Sequence, residues 1–180
     1  MKGSTSDIGR SSSSLIAAQL EYLKNELEKS KNYDYIIVAG HHPIVSNGSH
    51  GPTKELIKHI YPLLKKYDVN LYLSGHDHQL QELRTHHNSE RKGGQRTTMY
   101  HVISGQGGRV KCTNKHNEQE ISWLLPEGDS CDAEYFHCGD YDHAGWVQLS
   151  IDKKHLKVIF KDTKEGTVRR TFIEKRSSLK

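Results

Sequence analysis

The chain has 180 residues, 33% of them hydrophobic, and a formal charge of +4 with its 13 histidines counted neutral. Mean hydropathy is −0.79, and no apolar run approaches the roughly 20 residues that a membrane-spanning helix needs. The basic residues are scattered, with Arg169-Arg170 and Lys175-Arg176 the densest runs, and no stripe of basic and aromatic residues suggests a nucleic-acid groove.

This length suits one domain or a piece of a larger one. The opening "MKGSTSDIGRSSSS" lacks the apolar stretch of a signal peptide, so residues 1–14 read as a disordered leader or a truncation point. Ile16, Leu20, Leu23 and Leu27 then follow at 4, 3 and 4 spacing, one face of a helix that Ser14 can cap. "YDYIIVAG" reads as a buried strand ending at Gly40, and "HHPIVSNGSHGP" as a loop. Leu56, Ile60, Leu63 and Leu64 mark a second amphipathic helix, which Pro62 should kink or break. "VNLYLSG" alternates apolar residues as a strand does.

Helix, strand, loop, helix and strand form an α/β unit with a parallel pair of strands. Beyond it, residues 84–98 read as a long exposed loop, "MYHVISGQGG" as a short strand, and residues 109–142 as unassignable. "GWVQLSI" and "LKVIFKD" form a hairpin to which "GTVRRTFIEK" adds a third antiparallel strand. The expected domain covers residues 15–175, with 176–180 as a tail.

Ligand sites in α/β units lie past the carboxyl ends of the strands. The loops "GHHP" and "GHDH" both fall at that edge and bring His41, His76 and His78 there as candidate metal ligands. In extended chain His76 and His78 would point to one side roughly 6.6 Å apart. That spacing suits two ligands on one ion or one ligand on each of two ions. Asp77, between them, should point the opposite way and orient a neighbouring group, and His42, before a proline, reads as a wall residue facing away from His41. His50 stands before a Gly-Pro turn that opens a helix, where a protonated imidazole can face a phosphate and donate to a leaving oxygen.

Three cysteines allow at most one internal disulfide, with Cys131 and Cys138 the closer pair. A zinc site from Cys112, His116, Cys131, His137 and Cys138 is the alternative, though its spacing matches no known knuckle. Asn47-Gly48-Ser49 is a glycosylation sequon inside the candidate cleft.

The stretch "VAGHHPIVSNGSHGPTKELIKHIYPLLKKYDVNLYLSGHDHQLQEL", with "YHVISGQGG" and "HAGWVQLSI" after it, resembles the C-terminal half of the tartrate-resistant purple acid phosphatases, within the calcineurin-like metallophosphoesterases. The resemblance implies an α/β (α+β) fold, half of a four-layer α/β/β/α sandwich ending in an antiparallel hairpin. It implies a dinuclear centre of Fe(III) with Fe(II), Zn or Mn that hydrolyses phosphate monoesters through a metal-activated hydroxide. By position His41 and His76 match ligands of the divalent ion, His78 a ligand of the iron(III), and His50 a catalytic, substrate-binding histidine. A secreted or lysosomal location is implied as well.

The family's other ligand motifs, Gly-Asp-x-Gly, Gly-Asp-Asn-x-x-Tyr and Gly-Asn-His, do not occur before His41. Gly128-Asp129 and Gly139-Asp140 come later and in the wrong order. The expectation is therefore a chain holding half of the metal cage and impaired as an acid phosphatase, with the N-terminal half as a missing partner. The alternative is an inactive phosphatase domain that serves as a binding or fold fragment.

Overall fold

The computed structural model describes residues 6–108, 116–137 and 144–176, and the chain divides into two units, residues 1–32 and 33–180. The first unit is a helix, α1 (Ser6–Lys29), closed by a 3-10 turn over Ser30–Asn32. The Ser30 hydroxyl donates to the Leu27 carbonyl at 2.7 Å and satisfies one of the last helical acceptors. The helix begins eight residues ahead of the Ser14 cap that the sequence suggested, so residues 6–14, read as a leader, are helical. Serine is only a few tenths of a kcal/mol, about 0.5, worse than alanine in a helix, so a helix nucleated farther along extends through a serine tract at little cost.

The second unit opens with β1 (Ile37–Ala39), α2 (Lys54–His59), α3 (Tyr61–Lys66) and β2 (Leu71–Ser74). The break at Ile60 is the one Pro62 imposes, since proline sits comfortably only in the first turn of a helix. The chain continues through β3 (Leu80–Asn88), β4 (Arg96–Ser104), α4 (Glu118–Ser122), β5 (Ser130–His137), β6 (Gly145–Ile151), β7 (His155–Asp162) and β8 (Gly166–Glu174). Five strands form one sheet in the order β1-β2-β4-β3-β5, and β6-β7-β8 form a second, antiparallel sheet. β1, β2 and β4 are mutually parallel, as expected for the first pair, while β3 runs antiparallel to both of its neighbours, β4 and β5.

Residues 84–98 are therefore not an exposed loop. Thr85 pairs with Met99 and His87 with Thr97 across a hairpin, and its tight end is a 3-10 turn capped by Ser89 and closed by Gly93 at φ 63°. Residues 109–142, unassigned from sequence, contain α4 and β5 where described.

The two sheets pack face to face through Leu71, Leu80 and Val102 on one side and Leu156, Val158, Phe160 and Ile173 on the other. Each such side chain contributes about 2 kcal/mol of burial free energy. A buried carboxylate lies at this interface. Glu82 is fully buried and accepts from Arg84, from Arg169 Nε at 2.7 Å and from the Thr171 hydroxyl. Burial alone would raise its pKa, but these donors outweigh it and hold the carboxyl below its ordinary value.

Tyr61 and Leu64 of α3 are buried, and the Tyr61 ring lies 6.5 Å from His87 and 6.3 Å from His101 on the opposite face of the larger sheet. Among the described residues no helix is long and apolar enough to cross a membrane.

Candidate metal centre

β1 and β2 end side by side, and the loops that follow continue their pairing. The Gly40 amide donates to Leu73 O at 3.0 Å, and the Gly75 amide to His41 O at 3.1 Å. Tyr72 reaches under the first loop and donates its hydroxyl to His42 O at 2.9 Å. A Cβ on residue 40 would lie 2.3 Å from that hydroxyl, so Gly40 is required there. Opposite, a Cβ on Gly105 would lie 1.8 Å from Asp77 O, so the second loop rests directly on the end of β4.

The second loop is a series of tight turns rather than extended chain. Asp77 N donates to Gly75 O at 2.8 Å and Gln79 N to Asp77 O at 2.9 Å. His76 adopts φ 64°, a left-handed conformation that costs a non-glycine residue about 1 kcal/mol and clusters at functional sites. The period-two expectation for His76 and His78 therefore does not apply. His76 turns outward to His41, with Nδ1 3.2 Å from His41 Nε2.

His42 is the difference from the sequence reading. Its ring lies 4.9 Å from that of His41 and 4.2 Å from that of His76, so it faces the cluster instead of forming a wall away from it. His41, His42 and His76 each offer one ring nitrogen, all within 4.8 Å of one another. His78 is half-buried and stands outside this triad. Burial first, and then the neighbouring His42, His50 and His41, lower the His76 pKa, which favours the neutral imidazole that binds metal.

His50 closes one side of the cluster, its ring 4.4 Å from His76. Its Nδ1 lies 2.7 Å from Asp77 Oδ1, and its amide donates to the same oxygen at 3.2 Å. Asp77 is 1% exposed, and its other oxygen accepts from the Ser46 hydroxyl. Ser46 in turn accepts from Gly48 N at 2.9 Å and Gln81 Nε2 at 3.1 Å, and Gln81 Oε1 accepts from Asn47 N at 3.0 Å. Asp77 thus turns away from the triad and orients His50. Ser46 and Gln81 were missed from sequence, because a serine and a glutamine 35 positions apart carry no local signal of partnership.

Asn47 is only 6% exposed, so the sequon lies largely buried in the wall of the cleft. Cys131 is a free, buried thiol on β5, its pKa pushed up to about 12 by burial, and not half of the suggested disulfide. Cys112 and Cys138, which that pairing and the zinc alternative also invoke, lie outside the described residues.

The parallel strand edge, the second packed sheet and the paired histidine loops define a calcineurin-like phosphoesterase fold, and residues 3–80 match that family. The chain as a whole is related to the purple acid phosphatases. It is 33% identical to tartrate-resistant acid phosphatase type 5 of Mus musculus over 88% of its own length and 42% of that protein's. It is 32% identical to purple acid phosphatase 4 of Arabidopsis thaliana, over 79% of this chain and 36% of the other. It thus spans less than half the length of these relatives.

Solved structures of similar fold include GAP50, described as the anchor in the inner membrane complex of Plasmodium, with a TM-score of 0.64 at 21% identity, covering 88% of this chain and 42% of that one. Purple acid phosphatase PPD1 from yellow lupin (Lupinus luteus) seeds gives a TM-score of 0.57 at 17% identity, over 87% and 28%.

The family implies a dinuclear metal centre, and the donor set fits part of one. Three convergent imidazoles suit a borderline divalent ion, and the carboxylate of Asp77, next to His76 in sequence, is occupied by His50 and Ser46.

Proposed function

We propose that the chain contributes one side of the active site of an acid phosphatase acting on phosphate monoesters. The observation that carries this is the convergence of His41 and His76 at the strand ends beside a His50 held by a buried Asp77. Metal ions at such an edge supply Lewis-acid charge and a water of lowered pKa.

His41 and His76 are the ligands for the divalent ion, and His78, from the same turn, serves the iron. Asp77 fixes the His50 tautomer. Its carboxylate accepts from Nδ1–H, which leaves Nε2 to carry the proton that moves to the leaving oxygen. His50 is about half exposed and so reaches a bound ester from the solvent side.

A second reading, a phosphatase-like domain that binds without turnover, is favoured by one observation. The donor cluster among the described residues contains no carboxylate.

The test is hydrolysis of p-nitrophenyl phosphate at acid pH by the full chain supplied with iron and zinc. Turnover that His50→Ala lowers by about a hundredfold supports catalysis with His50 as the acid. Stoichiometric metal without turnover supports the binding role instead.

A further inference from the structure

We infer that His42 is a metal ligand, so that His41, His42 and His76 together form a three-nitrogen site for a zinc-like divalent cation. The inference rests on reading this edge as a metal site, and it adds a donor that the resemblance does not assign.

Zn–N bonds of 2.0–2.1 Å in a tetrahedral site set two bound nitrogens about 3.3 Å apart. The His41 Nε2 to His76 Nδ1 separation is 3.2 Å. A hydrogen bond between those two rings would explain that pair alone. It would not explain why the His42 ring also turns in, edge-on to His41 at 85° and tilted 47° to His76, with its nitrogen inside the same 4.8 Å cluster. No hydrogen bond to the His42 ring is present among the described residues.

The backbone that presents the three rings is fixed. His41 O accepts from Gly75 N, His42 O accepts from Tyr72 Oη, and the turn at His76 is closed by Asp77 N on Gly75 O. Pro43, Ile44 and Val45 immediately after His42 are buried, so this residue is held from both sides. Ligands on a rigid backbone lose little entropy on binding.

Imidazole nitrogens with no carboxylate among them select zinc, cobalt or a similar ion over magnesium or calcium. His41 and His42 are exposed, which leaves the outer position of a tetrahedral ion open to water or a phosphate oxygen.

The test is titration of the metal-free full chain with Zn²⁺ against a chromophoric chelator, and with Co²⁺ followed by its visible absorption. His41→Ala, His42→Phe and His42→Tyr are compared with the unsubstituted chain. Because His42 is exposed, both substitutions should leave the circular dichroism melt unchanged. The inference expects both to weaken binding by at least about tenfold and to shift the Co²⁺ bands.

Affinity and bands unchanged in both His42 variants, with binding lost in His41→Ala, would overturn the role of His42 and leave the metal site standing. No binding of either ion by the unsubstituted chain would remove both.

Discussion

The second unit keeps two groups of histidines in opposite physical settings. At the strand-end edge His41, His42, His50 and His76 crowd together at the surface. On the helix-facing side of the same sheet His87 and His101 are 0% and 1% exposed. His101 shares a contact of 2.9 Å with the Thr85 hydroxyl, while neither ring nitrogen of His87 has a hydrogen-bond partner among the described residues.

Burial first, and then the charge of Lys65, pushes His87 down to about 4 against the opposing pull of Asp129 and Asp68. Burial, and then the neighbouring His87, pushes His101 down to about 3. The difference teaches that a histidine count says little by itself. Exposure and convergence make the first group available to a cation, and desolvation makes the second a set of neutral core side chains that acid will penalise.

The largest expected effect follows from the buried pair. Both folded pKa values lie below the unfolded value near 6.5, so the unfolded chain binds more protons as pH falls through that value and stability drops. By pH 5 the loss is about 2 kcal/mol for each histidine. It continues down to about pH 4 for His87 and about pH 3 for His101. His76 shifts in the same direction at the surface, whereas the depressed carboxyl of Glu82 adds its loss only below its unfolded pKa, about 4.5. Urea midpoints measured in EDTA at pH 7.5 and pH 5 test this, and equal midpoints would erase the contrast between the two groups.

A smaller effect concerns the buried charge between the sheets. Arg169→Ala removes one donor from Glu82 and should cost about 3 kcal/mol, at the low end for a broken buried pair because the guanidinium is partly exposed. A cost near zero in denaturant titration would show that Arg84 and Thr171 suffice.

The smallest effect sharpens the comparison from the exposed side. His76→Gly releases the left-handed strain and should raise metal-free stability by up to about 1 kcal/mol while weakening metal binding. A destabilised variant would mean that the His76 ring holds the turn together, making it structural like the buried pair.

Much of the framework was legible from sequence. The alternation of β6, β7 and β8, the short apolar runs of β1 and β2 and the break before Pro62 are local signals that survive into the fold. The second half of β4 was legible as a short strand, but β3 and its hairpin with β4 were not, because Glu82, Thr85, His87 and His101 occupy buried positions there beside Leu80, Leu83, Met99 and Val102. Polar residues at core positions look like a loop to any rule that counts apolar periodicity.

The sequence by itself determined the two histidine loops, their place after parallel strands and the resemblance they carry, since glycine, proline and strand alternation act over a few residues. Only the tertiary structure decided that His42 turns toward His41 and His76, that Asp77 serves His50 through a network with Ser46 and Gln81, and that His87 and His101 are core residues. Those outcomes depend on contacts between segments tens of residues apart and on the left-handed turn at His76, neither of which local propensity encodes.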